Sequence, residues 1–290
     1  MPGAVPSPKT SAVLPVGGPT PLLAECLEAI RSQARALDEL IVVDDSRAGA
    51  LEPIEGARVL RSGGSGPYAA RNVGWQAAQG EVIFFLDIRS RPRPDWAQRL
   101  AELFDDPTVA LAGSDVLIRR GATLGARVSE RQQFYKLEKY TTEAWFRPYF
   151  PTCNLAARRS EVEAVGGFKE IRSGADADLC WRILDRPGRR LETIPEVLME
   201  WVPRETLRGY LEQNYRYGRS HCALRTMWRE RGAPQSEPMS YPLLARRIAG
   251  VVVRGGVAAL RRQGDEVLEE LRKAGRFAYH VGYRRAAARQ

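Results

Sequence analysis

The chain has 290 residues, 44% hydrophobic and 27% charged, an ordinary balance that excludes a collagen-like, coiled-coil or largely disordered protein. Its formal net charge of +9 favours phosphate-bearing partners, although an arginine-rich composition inherited from a GC-rich genome accounts for it equally well. The four cysteines (Cys26, Cys153, Cys180 and Cys222) are scattered without a CxxC pair, which excludes a clustered zinc site and fits a reducing cytoplasm better than a disulfide framework.

Residues 1–10, with three prolines, read as a disordered lead-in. No secretory signal opens the chain, so the expected location is cytoplasmic. Ser11 to Val16 is a short apolar run ended by Gly17-Gly18-Pro19, the pattern of a buried strand followed by a loop. Pro21 to Arg35 has helical spacing, and Leu40 to Val43 is a second buried strand stopping at Asp44-Asp45-Ser46. A third strand is expected at Arg58 to Leu60. The glycine-rich loop Ser62 to Pro67 then leads into a helix from Tyr68 to Gln79, and a fourth strand, Val82 to Leu86, ends at Asp87.

Uniformly apolar strands alternating with helices imply a parallel sheet covered on both faces. In such sheets ligands sit at the carboxyl ends of the strands. Asp44, Asp45 and Asp87 all fall at that edge. The segment from Val109 to Arg225 mixes strands and helices. Beyond about Gln235 the chain turns basic and alanine-rich, which reads as a helical extension over 236–290 with a frayed end.

Six segments in order carry a resemblance: Leu14-Pro15-Val16; Ile41 to Ser46; Ala69 to Gly74 (AARNVG); Phe84 to Asp87; Gly166-Gly167-Phe168 followed by Gly174 to Arg182 (GADADLCWR); and Gln213 to Gly218 (QNYRYG). Together with Thr152 to Arg159, similar to an acceptor-side segment, they resemble the inverting family 2 glycosyltransferases of the GT-A fold over roughly Lys9 to Arg225. The resemblance implies an α/β GT-A domain, Rossmann-like, with a mixed, mainly parallel sheet over 11–235. It also implies transfer of a sugar from a UDP-, GDP- or dTDP-sugar to an acceptor hydroxyl or amine, with a small-molecule or lipid-linked acceptor and no nucleic acid partner.

By the same resemblance, Asp176 is the general base that takes the acceptor's proton. Pro15, Val16, Asp44, Asp45 and Asp87 contact nucleotide and ribose, and Arg71 and Arg89 the diphosphate, with Gln213, Arg216 and Tyr217 approaching the donor. Each has a structural alternative: strand-end aspartates cap turns, Asp176 caps a helix, Arg71 is an exposed helix arginine, and Tyr217 packs between helices. Asp178 reads as a helix-start charge. Asn154, Trp181 and Tyr149 are placed on the acceptor side, with the aromatic segment Phe134 to Tyr149 as the acceptor wall.

Two departures stand out. The family's DxD motif reads Asp87-Ile88-Arg89, and the stretch where many relatives carry a histidine reads Met199-Glu200-Trp201-Val202-Pro203. Two ligands for Mg or Mn are missing, leaving Asp87 as the one candidate. Arg89, with Arg91 or Arg216, is the expected replacement for the cation. The same losses fit a non-catalytic nucleotide-binding or scaffolding module. In the extension, apolar residues from Leu243 to Val253 alternate with Arg246, Arg247 and Arg254, the pattern of a helix that touches an anionic membrane surface or packs on the rest of the protein.

Overall fold

The computed structural model describes residues 8–289; most of the expected disordered lead-in lies outside the described residues, and strand structure begins at Thr10. In chain order the elements are β1 (Thr10–Val16), α1 (Leu22–Arg31), β2 (Glu39–Asp44), β3 (Arg58–Arg61), α2 (Pro67–Ala77), β4 (Val82–Phe85), β5 (Ser90–Pro92) and α3 (Trp96–Glu102). They continue with β6 (Val109–Ile118), α4 (Leu124–Gln132), β7 (Leu155–Arg158), α5 (Arg159–Ala164), α6 (Ala175–Leu184), β8 (Arg190–Trp201), α7 (Leu207–Met227), α8 (Tyr241–Leu260) and α9 (Gly264–Ala287).

Packing divides the chain into two compact units. One comprises the described residues of Met1–Leu117 with Tyr135–Val202; the other comprises Ile118–Phe134 with the described residues of Pro203–Gln290. The helix α7, expected within the first domain, thus belongs with α4, α8 and α9. The expected frayed end is instead ordered helix to Ala287.

The first unit is built on an eight-stranded sheet in the order β3-β2-β1-β4-β7-β6-β8-β5. Its first half is parallel, with β2 against β3 and β1 between β2 and β4, as uniformly apolar strands require. From β4 onward β7 pairs with β4, β6 with β7 and β5 with β8 in antiparallel fashion, so the sheet is mixed. Ala12, Val13, Ile41, Val42, Ile83 and Phe84 have no exposed surface and form the floor of the core. At Gly74 a Cβ would overlap Val13, which explains why α2 lies so close to β1.

In the second unit α7 and α9 also pack at glycines. A side chain at Gly218 would overlap the carbonyl of Tyr279, and one at Gly282 the carbonyl of Tyr215. The last glycine of the QNYRYG motif is therefore a helix-packing residue. Asn72 of the AARNVG motif has a comparable duty in the first unit. Its Nδ2 donates to the Phe168 carbonyl at 2.8 Å and its Oδ1 accepts from the Phe168 amide at 2.9 Å, binding α2 to the Gly166-Gly167-Phe168 turn.

Candidate functional site

The carboxyl ends of the parallel strands gather the expected residues. Asp45 donates its amide to the Val16 carbonyl at 2.7 Å, joining the ends of β1 and β2; Pro15 and Val16 themselves are buried. The Asp44 carboxylate is taken up by its own loop, accepting from the amides of Ser46 at 2.8 Å and Leu51 at 3.0 Å. Although burial opposes its charge, these bonds and Ser46 hold its pKa below the usual carboxylate value. Asp45 is more open. Its Oδ1 accepts from the Ser62 hydroxyl at 2.7 Å and the Gly66 amide at 3.1 Å, tethering the glycine-rich loop to the strand end. Asp44 therefore shapes the edge, while Asp45 faces it.

Arg71 is buried, contrary to its exposed alternative. Its guanidinium donates to the carbonyls of Pro67 and Leu86, both at 3.2 Å, and lies 5.4 Å from the Tyr68 ring centre. Its Nε has no hydrogen-bond partner. A buried cation bonded to carbonyls rather than to a paired carboxylate keeps a positive field around it.

Asp176 sits in that field. It is not the N-cap of α6: that is Gly174, whose amide donates to the Tyr68 hydroxyl at 3.2 Å, while Asp176 Oδ1 accepts from the first-turn amide of Ala177 at 3.1 Å. Its Oδ1 accepts from the Tyr68 hydroxyl at 3.1 Å and its Oδ2 from the Thr152 amide at 3.4 Å. Burial raises its pKa above the ordinary carboxylate value, against the lowering effects of the Ala177 amide, Arg71 and Tyr68. Burial and the neighbouring Asp176 together keep the Tyr68 phenol protonated, so it acts as the donor in this pair. Asp178, expected as a helix-start charge, has no exposed surface and pairs with Lys169 at 3.0 Å and Arg182 at 2.8 Å. Arg182 also donates to the carbonyls of Val165 and Gly167, so Asp178 fixes the turn before the site.

Asp87 and Arg89 form the third part. Asp87 Oδ1 accepts from the Arg89 amide at 2.7 Å and Oδ2 from Trp201 Nε1 at 3.1 Å. The Arg89 guanidinium donates to the Val202 carbonyl at 3.1 Å and lies 5.7 Å from the Trp201 ring centre. Both carboxylate oxygens therefore have protein donors. Among the described residues no group of three His, Cys, Asp or Glu side chains converges. Asp87 is thus the one carboxylate at the position of the DxD motif, and it is already engaged by Arg89 and Trp201. Arg91, the alternative helper, points away: it is buried and pairs with Glu25 at 3.0 Å beside α1. Burial pushes the Cys153 thiol up in pKa, with Asp87 and Asp176 adding to the effect and Arg71 opposing it.

The structure buries the residues expected on the acceptor side. Asn154 is buried, accepting from Trp96 Nε1 at 2.7 Å and donating to the Ser114 carbonyl at 2.8 Å. Trp181 is fully buried, and Tyr149 packs edge-on against it. Both are backing for the half-exposed Trp145 and Phe146, whose rings stand 5.4 and 5.1 Å from Trp181. Gln213, Arg216 and Tyr217 lie in the helical unit. There Gln213 Nε2 donates to the Tyr217 hydroxyl at 2.8 Å, Arg216 lies 5.8 Å from the Tyr217 ring, and Tyr217 packs edge-on against Phe134. Two residues of the site were not foreseen as members. Tyr68, next to the glycine-rich loop, carried no signal beyond opening a helix. Trp201 stands in the stretch where the resemblance leads one to expect a histidine.

Comparison with known proteins gives consistent findings. The family model described as Glycosyl transferase family 2 matches residues 11–178. The chain is 31% identical over 245 residues to the pre-mycofactocin glycosyltransferase of Mycobacterium tuberculosis, covering 76% of this chain and 51% of that protein. It is 27% identical over 192 residues to glycosyltransferase AglE of Haloferax volcanii, covering 61% of this chain and 62% of that one. The chain thus spans about half the length of the first of these relatives. A solved mannosyltransferase from Pyrobaculum calidifontis, in complex with GDP-Man and Mn2+, has a TM-score of 0.67 at 22% identity, covering 97% of this chain and 86% of that one. It shares the GT-A fold.

Proposed function

The chain belongs to glycosyl transferase family 2, and from that premise we propose that it transfers a sugar from a nucleoside-diphosphate sugar to an acceptor hydroxyl or amine with inversion. The observation that carries this reading is Asp176: a partly covered carboxylate with raised pKa, held by Tyr68 and Thr152 beside the buried cation Arg71. In the proposed step Asp176 takes the acceptor's proton as the acceptor oxygen or nitrogen bonds to the anomeric carbon. The bond from that carbon to the diphosphate oxygen breaks on the opposite face, and the nucleoside diphosphate leaves with the electron pair. Asp45 and the glycine-rich loop frame the nucleotide, and Arg71 and Arg89 receive the growing negative charge.

Metal independence is part of the proposal, supported by the engaged carboxylate of Asp87 and the arginine at position 89. The acceptor is a small molecule or a lipid-linked one, approaching across Trp145 and Phe146. Four buried cysteines, none of them in a disulfide, support a reducing, cytoplasmic setting. The occupied Asp87 also favours a second reading, a nucleotide-binding module without turnover.

Calorimetric titration of UDP, GDP and dTDP, each with manganese and again with EDTA, tests this. Tight binding of one nucleotide that survives EDTA, followed by turnover of its sugar, is the expected result. Binding that requires manganese overturns metal independence, and binding without turnover of any sugar leaves the module reading.

A further inference from the structure

The helical unit carries a surface that donor chemistry does not use. α8 packs through Leu244, Val251 and Ala258, a seven-residue repeat that buries one narrow seam. Outside that seam the helix exposes apolar side chains: Val252 and Val253 are 67% and 65% exposed, and Leu260 is 87% exposed, with Val257 between them; Val253 and Val257 also border a cleft that holds Asp265, Glu266, Glu269 and Glu270. Such residues are normally turned inward, and a contiguous ridge of them marks an interaction face.

Beside this ridge lies a cleft of about 510 Å³ between α8 and α9, lined by Arg246, Arg247, Arg254, Lys273, Arg276 and His280 with a few apolar neighbours and no acidic residue. Arg254 and Lys273 share Glu270, at 3.1 and 2.6 Å. Among the described residues no carboxylate pairs with Arg246, Arg247 or Arg276. Residues 238–264 contain neither Asp nor Glu, while Arg261 and Arg262 continue the positive charge past the helix end. Burial, and then the charges of Arg247 and Arg276, hold His280 below its ordinary pKa, as a site of concentrated positive potential requires.

We propose that this face docks on an anionic phospholipid bilayer, with lipid phosphate in the cleft of Arg246, Arg247 and Arg276 and the ridge of Val252, Val253, Val257 and Leu260 in the acyl boundary. The argument is one of complementarity in two chemistries at once. A phosphate ester satisfies unpaired guanidinium groups, and the chains attached to it satisfy an apolar ridge directly alongside. An acidic protein surface answers only the first, and a second copy of this basic face is repelled by its charge. Over 20 residues α8 is about 30 Å long, enough to lie along a membrane surface. Among the described residues no helix is long and apolar enough to cross one, so contact along the surface is the geometry available to it.

The test is flotation of the full chain with phosphatidylcholine vesicles, with and without phosphatidylglycerol, at low salt and at about 0.5 M salt. Recovery that needs phosphatidylglycerol and falls with salt is expected. Arg246→Glu with Arg247→Glu should lower partitioning about 25-fold or more. Val253→Glu with Leu260→Glu should abolish it. All four positions are exposed, and unchanged circular dichroism and nucleotide binding confirm that the variants fold. No flotation, or equal flotation on neutral vesicles, overturns the proposal. So does a dimer that Val253→Glu dissociates without any vesicle binding. Inorganic phosphate titrated alone separates the sources: saturable binding in a chain that does not float makes the cleft a free-phosphate site and likewise overturns membrane docking.

Discussion

The two units dispose of their charged residues in opposite ways. In the sheet unit Asp44, Asp115, Asp178 and Glu161 are buried, and each accepts from a named donor: loop amides, Lys136, Arg182 and Arg186 respectively. In the helical unit the arginines of α8 stand on the surface, three lining an acid-free cleft beside a ridge of exposed valines. Inward-turned, fully bonded charges fix geometry, as a site that must hold a reacting group needs. Outward-turned, uncompensated charge beside apolar surface fixes little inside the molecule and suits an extended partner. The comparison also separates Asp176 from its neighbours, since its burial penalty outweighs the bonds it accepts.

The largest effect expected from this contrast is at Asp176. Asp176→Asn should lower turnover about 10³-fold while leaving nucleotide binding intact. Because the folded pKa of Asp176 is raised, its ionisation disfavours the folded state at neutral pH, and the wild type recovers that loss as pH falls and the carboxyl protonates. The variant should therefore melt about 2–4 °C higher at pH 7, with the gap closing in acid. Undiminished turnover, or a lower melting temperature at every pH, would break the comparison. Next comes the α7–α9 contact: Gly218→Leu should destabilise the helical unit by roughly 3 kcal/mol in urea titration, since it must displace the Tyr279 carbonyl. A neutral result would mean that the glycine is held for another reason.

His221 gives the helical unit the opposite response to acid. Burial pushes its pKa down to about 4, with Arg225 adding to the effect, and its Nδ1 is 2.9 Å from the Tyr279 hydroxyl. The unfolded chain binds the proton first as pH drops below about 6.5, so stability is complete above that value and lost through pH 4. Urea unfolding should show a loss of about 2–3 kcal/mol over that window, and His221→Leu should flatten it. An equally steep loss in the variant would assign the effect elsewhere. The smallest effect is expected at Arg89, where Arg89→Ala should weaken nucleoside-diphosphate binding by about tenfold in calorimetry, with or without EDTA. A variant that binds as tightly as the wild type would remove Arg89 from the site.

Much of the sheet unit was legible because its signals are local. Apolar runs ending in Asp44 and Asp87 locate the strands and their carboxyl edge, although the first helix stops at Arg31 rather than Arg35, before the Ser32-Gln33 turn whose side chains bond back to the Ala29 carbonyl. Asn154 and Trp181, expected on the acceptor side, are buried, a difference that a motif cannot reveal because it shows that a residue is required without showing which way it faces. Both prove to be supports inside the core.

By itself, the sequence determined the order of strands and helices from β1 to β4, the edge where acidic residues collect, the broken DxD motif and the basic, apolar character of the last helices. Those are properties of neighbouring residues, set by periodicity and composition. Only the tertiary structure decided that Tyr68 holds Asp176, that Trp201 and Arg89 enclose Asp87, that Asn72 binds Phe168, and that the valines of α8 remain outside. Each of those outcomes depends on which elements pack together across long stretches of chain, and burial and hydrogen-bond partners exist only once that packing is made.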